Sequence, residues 1–157
     1  DLSSSDPAKR IAGLSTVIQL ANAGHDVSEY APTVLEKGFQ AKQSPPLARR
    51  LSYHLLTLMH LSPKDREVVT GIIKADLSCT DAEVVTGALR LLTQIPDEYL
   101  LHMWPDLQVN FEGCLLHRSY KVRETAVLVA RAHIRSMPNR RTGLAVYRDT
   151  VIKMLHA

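Results

Sequence analysis

A spacing of 38 residues runs through the middle of this 157-residue chain and constrains its fold more than any other feature. Ala31, Val69 and Leu107 mark it, as do Leu35, Ile73 and Phe111, and again Phe39, Leu77 and Leu115; every one of these positions is apolar. The three sets are offset from one another by four residues, the spacing that lines side chains along one helical face. A second register repeats beside the first, with Pro46, Val84 and Val122, then Leu51, Leu89 and Val127. A period of this length built from helices describes stacked pairs in which each unit buries its apolar face against its neighbours.

Helix starts are well marked. Asp6 before Pro7 reads as an N-cap with proline at the first helical position, and Ile11, Leu14, Val17, Ile18 and Ala21 form one stripe that stops at Ala23-Gly24. Ser28 is expected to cap a second helix carrying Ala31, Leu35 and Phe39, with Pro32 tolerated because it falls in the first turn. Ser44-Pro45-Pro46 opens a third through Leu47, Leu51, Leu55 and Leu58, and Ser62-Pro63 a fourth that ends near Leu77. Thr80 or Asp81 caps a fifth, with Val84, Ala88, Leu91, Leu92 and Ile95 on its stripe and Pro96 closing it. From Asp97 onward, Trp104-Pro105 is expected to split a short lead-in turn from a sixth helix ending near His117. Ser119 begins a seventh, with Val122, Ala126, Val129, Ala130 and Ile134 on one side and Pro138 after it, and Arg141 to His156 supplies an eighth.

The expected fold is therefore all-α: a right-handed α-solenoid of about four HEAT- or armadillo-like helix pairs, in a single domain over residues 1–157. Composition agrees. Hydrophobic residues make up 45% of the chain and aromatic ones only 5%, the aliphatic balance of stacked helices. Small residues such as Ala48, Gly87, Ala88, Thr125 and Ala126 recur where neighbouring helices must approach. The segments between helices are short, so no flexible linker is visible.

The same composition argues against several functions. A formal charge of +3, from 19 Lys plus Arg against 16 Asp plus Glu, is too mild to make nucleic acid a main partner. Of the seven histidines, no two stand at the three- or four-residue spacing that puts two ligands on one helical face, and Cys79 and Cys114 form no CxxC pair. There is no GxSxG elbow, no HExxH and no glycine-rich phosphate loop. No enzyme activity, cofactor or metal is expected. No apolar run reaches the roughly 18 residues that span a bilayer, and a reduced cytosolic setting is the default for two unpatterned cysteines.

What recognition chemistry there is lies in charge pairs and one aromatic. Lys9-Arg10, Arg49-Arg50, Lys121-Arg123 and Arg140-Arg141 fall near helix starts or in interhelical turns. If successive repeats align, they gather along one edge that could meet anionic lipid or an acidic partner; the plainer reading is a solvated rim. Trp104 likewise has two readings, a staple packed on the next repeat or an exposed interface anchor.

The run His117-Arg118-Ser119-Tyr120-Lys121-Val122-Arg123-Glu124-Thr125-Ala126-Val127-Leu128 resembles the "SYVRxxAxL" segment of the N-terminal trunks of clathrin-adaptor and coatomer large subunits. Ile73-Lys74-Ala75-Asp76-Leu77 followed by the stretch from Val84 to Ile95 resembles the same family's "hKxDL…hhxGxALRxhxxI" repeat, where h is apolar. Gly24-His25-Asp26-Val27-Ser28 is similar to the "GxDVS" of β-type subunits, and Arg50-Leu51-Ser52-Tyr53 to their "KKLxY". Order and separation agree over roughly residues 6 to 137. Within these motifs Tyr120 would cover the turn with its ring, Ser119 would start the helix, and Arg123 would reach a carboxylate or carbonyl of the preceding repeat, Asp76 or Asp81 being candidates.

The resemblance implies the first repeats of a large-subunit trunk of the β type or of the TPLATE/TSET branch, from a longer parent chain. It further implies a non-catalytic scaffold that pairs with other coat subunits in vesicle traffic, on the cytoplasmic side of membranes or coated vesicles and attached peripherally. In β-type subunits the fourth helix offers apolar residues to a small GTPase. Glu67 and Thr70 stand there in this chain, which disfavours that partner at this face. The alternative is a self-contained HEAT-type module that binds a peptide in its groove.

Overall fold

A computed structural model describes residues 1–39, 44–95, 97–136, 141, 145, 147–149, 152 and 156, with backbone alone at 97–99, 101 and 136. All regular structure among these residues is helical: α1 (Pro7–Asn22), a 3-10 turn (Ser28–Tyr30), α2 (Ala31–Gly38), α3 (Pro46–Leu56), α4 (Pro63–Asp76), α5 (Ala82–Leu92), α6 (Asp97–Leu115) and α7 (Tyr120–Ser136). Arg141, Ala145, residues 147–149, Ile152 and His156 are helical as well. Pro96, Pro138 and Arg140, to which the sequence assigns roles, lie outside the described residues, as do most positions of the expected eighth helix between Arg141 and His156. The chain divides into two compact units, Asp1–Ile73 and Lys74–Ala157.

In the first unit, α1 starts and stops as its sequence dictates. Asp6 is extended and its Oδ1 accepts the Ala8 N–H at 2.9 Å, while Pro7 supplies a helical φ and no orphan donor. At the other end the His25 N–H returns to the Leu20 carbonyl at 3.1 Å across Gly24, whose φ of 91° is the left-handed conformation a side chain resists. Ser28 does not cap α2. Its hydroxyl accepts the His60 N–H at 3.0 Å, 32 residues away, and Tyr30 takes the N-cap position without a side-chain bond. A long-range backbone donor has won over a local one, which also explains the extra 3-10 turn ahead of α2.

Both α1 and α2 pack on α3. The α3 stripe is rotated from the leucine pattern: Ala48, Ser52, Leu55 and Leu56 are buried at i, i+4, i+7 and i+8, whereas Leu47 and Leu58 are 47% and 41% exposed. Ser52 disguised this face. Its hydroxyl bonds back to the Ala48 carbonyl at 2.8 Å, so a polar residue is buried at no hydrogen-bonding loss. It also faces Gly38 of α2, where a Cβ would overlap the Ser52 Oγ and come within 2.9 Å of its Cβ. Phe39 and Tyr53 close the layer edge to face, ring centroids 4.7 Å apart.

The start of α4 is a short polar box: the Ser62 hydroxyl accepts the Asp65 N–H at 3.1 Å and donates to Asp65 Oδ2 at 2.8 Å.

In the second unit, α5 and α6 both pack on α7. Asp81, not Thr80, caps α5, accepting the N–H groups of Glu83 and Val84 at 3.0 Å each. Val84, Val85, Ala88, Leu89, Leu91 and Leu92 are all within 1% of complete burial, each large one contributing about 1.5–3 kcal/mol. Opposite them α7 buries Val122, Ala126 and Val129. The expected break at Trp104-Pro105 is absent: α6 runs unbroken through Pro105. An interior proline costs about 3 kcal/mol relative to alanine, and here the buried residues Met103, Trp104, Leu107 and Phe111 on either side hold the helix together against that cost.

Candidate functional site

Arg10 and Lys9 part company. Lys9 is exposed, but Arg10 is 96% buried, because the polar groups it serves are the chain's own: its Nη1 donates to the carbonyls of Ser4 and Ser5, each at 3.2 Å. The expected outward-facing pair is thus one lysine. Burial follows from satisfying carbonyls that no helix supplies with donors.

Arg123 repeats the arrangement. Its Nη1 donates to the carbonyls of His117 and Arg118 at 2.6 and 2.9 Å, and the guanidinium stands 5.8 Å from the centre of the Tyr120 ring. It does not reach Asp76 or Asp81. Asp81 is committed to the α5 N-terminus, and Asp76 is 99% buried at the end of α4. Ser119 precedes α7 with its N–H donated to His117 Nδ1 at 3.0 Å and its carbonyl accepting from the Arg123 N–H at 3.2 Å. Tyr120 is 69% exposed. The motif that carried the resemblance is thereby a self-contained turn, closed by its own arginine. Lys121 pairs with Glu83 of α5 at 2.7 Å.

Of the remaining basic positions, Arg49 is half-buried, Arg50 and Arg141 are exposed, and Arg140 lies outside the described residues. On the first unit's α4, Glu67 is exposed and Thr70 is half-buried with its hydroxyl on the Arg66 carbonyl at 2.8 Å.

Trp104 is a staple. It is 94% buried among Phe111, His133 and Tyr147, with centroid separations of 5.2, 5.4 and 5.4 Å. His133 Nδ1 and the Tyr147 hydroxyl are 2.7 Å apart, and burial pushes the Tyr147 phenol up from its ordinary value of 10.0, which keeps it a hydroxyl able to donate. The sequence carried no sign of this pair, because the two residues belong to different helical segments and only packing brings them together.

Beside α6 lies an open cleft of about 450 Å³. Leu77, Val109 and Gly113 form its apolar part, and Cys79, Thr80 and Arg118 stand at its edge. Asn110 ties its two walls, donating from Nδ2 to the Lys74 carbonyl and to Ser78 Oγ, both at 3.0 Å. Cys114 is fully buried, its thiol pushed up to about 12 by burial and directed to the carbonyl of Leu77, a residue of the cleft, at 3.5 Å. Both cysteines are free. Among the described residues no three His, Cys, Asp or Glu side chains are grouped to hold a metal ion, and no helix is long and apolar enough to cross a membrane.

These features define an all-helical protein whose polar groups largely fasten its own turns and helix ends. Over 114 residues, 73% of the chain, the sequence is 25% identical to Protein TPLATE of Arabidopsis thaliana, a distant similarity to that branch. The match covers 10% of that protein, so the chain spans a small part of its length. No protein-family model and no solved structure matches the chain.

Proposed function

We propose that the chain is part of the helical trunk of a coat- or adaptor-type large subunit, a non-catalytic scaffold in intracellular membrane traffic. The observation that carries this reading is the stretch from His117 to Leu128: its sequence resembles the trunk segment of that superfamily, and it folds as a turn and helix start locked by Arg123. The similarity to Protein TPLATE supports the same branch. On this reading the helices are HEAT-like pairs of a right-handed α-solenoid, part of a longer trunk. The partners are other subunits of a coat, met through helix faces, and the protein is cytoplasmic and peripheral to the membrane. A small GTPase is not among the partners at the α4 face, where charged Glu67 is exposed. Contact with anionic lipid would fall to Lys9, Arg50 and Arg141, the exposed members of the Lys9-Arg10, Arg49-Arg50 and Arg140-Arg141 pairs.

Affinity purification of the full-length parent protein tests the reading. Recovery of adaptor-like large, medium and small chains supports it, and a reproducible partner set lacking all of them overturns it.

A further inference from the structure

The turn into α5 is fastened differently from those into α1 and α7. Arg10 and Arg123 clamp carbonyls upstream of their helices, but buried Val85 stands at the matching fourth position of α5. The corresponding carbonyls, those of Cys79 and Thr80, accept no hydrogen bond among the described residues. Side chains hold this turn instead: Asp81 caps α5, and Ser78 Oγ accepts from Asn110 Nδ2 at 3.0 Å. Thr80 takes no part. It is exposed, and its hydroxyl forms no hydrogen bond among the described residues.

Thr80 shares the cleft of about 450 Å³ with Arg118 and His117, and no carboxylate lines that cleft among the described residues. Asp106 and Glu112 of α6 lie outside the lining, and the Glu112 carboxylate accepts from Gln108 Nε2 at 3.3 Å. Arg118 is exposed, and its guanidinium forms no hydrogen bond or ion pair among the described residues. Its carbonyl is pinned by Arg123 at 2.9 Å, so the cation is anchored at its base. His117 Nδ1 accepts from the Ser119 N–H, and the neutral ring therefore carries its proton on Nε2 as a second donor. The acids that follow Thr80 are engaged: Asp81 with the α5 N–H groups, Glu83 with Lys121 at 2.7 Å.

We propose that Thr80 is a phosphorylation site for a protein kinase with a basic substrate groove, and that Arg118 and His117 capture the resulting phosphate within the cleft. Asp81 and Glu83, one and three positions after the acceptor, are the charges such a groove selects. The Glu83 pair with Lys121 is half-exposed and is readily exchanged for the cations of the kinase. Transfer uses ATP. The Thr80 oxygen attacks the γ-phosphorus and a P–O bond forms; the bond to the β-phosphate oxygen breaks, the hydroxyl proton passes to the kinase base, and ADP leaves. To enter a kinase the segment must extend and undo the first turn of α5, and this lead-in lacks the arginine clamp that resists opening at α1 and α7. The phosphate brings a charge of about −1.5 to −2 and three acceptor oxygens. Paired with Arg118, it fastens the turn before α5 to the turn before α7. The proposal needs a compartment that holds ATP and does not depend on the coat reading.

The 157-residue chain, incubated with ATP and an acidic-directed protein kinase, should take up one phosphate, located at Thr80 by mass spectrometry. Thr80→Ser should be labelled and Thr80→Ala should not. The second ionisation of a phosphate lies at about 6; phosphorus NMR should place it roughly half a pH unit or more lower in the phosphorylated chain, and back near that value in Arg118→Gln. Cys79, half-exposed at the cleft edge, should be alkylated about tenfold more slowly after phosphorylation, an effect that Arg118→Gln removes.

A folded chain that is not labelled at Thr80 overturns the proposal, all the more if a synthetic peptide of residues 74–88 is labelled, because the fold would then hide the site. Label on Ser78 in place of Thr80 overturns it as well. So does a phosphate that titrates alike with and without Arg118, because the cleft would then not hold it.

Discussion

Arg10 and Arg123 hold the same place in two different helices. Each is the fourth residue of its helix, α1 or α7, and each donates from Nη1 to the carbonyls five and six residues upstream, Ser5 and Ser4 in one case and Arg118 and His117 in the other. The guanidinium thus clamps the segment leading into the helix. Replacing Arg123 with alanine leaves two carbonyls without their charged donor and is expected to cost about 1–3 kcal/mol. Arg123→Lys should recover only part of this, since an ammonium lacks the planar fork. Urea unfolding of the three proteins reads the difference, and equal stability of all three would show that the clamp contributes nothing.

Gly38 and Ser52 test the contact between α2 and α3. Gly38→Ala places a methyl group on the Ser52 side chain and should destabilise the chain by about 1–3 kcal/mol. The exchanged pair, Gly38→Ala with Ser52→Gly, restores the space and should regain much of the loss, less the roughly 1 kcal/mol that glycine costs within α3. Thermal melts of both variants decide it.

Trp104 and Tyr147 should differ greatly in effect. Trp104→Ala empties the centre of the Phe111, His133 and Tyr147 cluster and is expected to cost about 3–5 kcal/mol. Tyr147→Phe keeps the ring packing and removes only the hydroxyl 2.7 Å from His133 Nδ1, a loss of about 1–3 kcal/mol. Trp104 emission should stay blue-shifted in Tyr147→Phe and move to the red only on unfolding.

Alkaline pH should unfold this protein in part through Cys114. Its thiol is raised by burial from 9.0 to about 12, so below pH 9 folded and unfolded chains both hold the proton and the contribution is constant. As pH climbs from about 9 toward about 12, the unfolded chain releases its proton first and stability falls. Tyr147 acts in the same direction above its ordinary value of 10.0. Melting temperature followed across this range should fall less steeply for Cys114→Ala than for the unaltered chain.

Ser28 holds two turns together, receiving the His60 N–H and bonding Asp26. Its side-chain and backbone hydrogen bonds keep the Asp26 carboxyl below 3.8. In Ser28→Ala the Asp26 titration followed by NMR should move up toward that value, and the His60 amide should exchange faster.

The sequence by itself determined the helices and most of their ends. Those ends are fixed by residues within one turn: Asp6 with Pro7, Gly24, Ser62 with Asp65, and Asp81 all act on backbone groups two to four positions away, so spacing along the chain is enough to read them. The buried aliphatic positions of α5 and α7 were legible for a similar reason, since helical period alone brings Val84, Ala88 and Leu91 to one face.

Only the tertiary structure decided where polar side chains spend their hydrogen bonds. Arg10 is written beside Lys9 as an exposed basic pair, yet it is buried because carbonyls upstream needed a donor. Ser28 reads as a cap, yet a backbone N–H 32 residues away takes its hydroxyl. Trp104 before Pro105 reads as a break, yet the ring cluster of Trp104, Phe111, His133 and Tyr147 keeps α6 continuous. Local spacing counts neighbours along the chain, whereas hydrogen-bond satisfaction and ring packing are settled by neighbours in space.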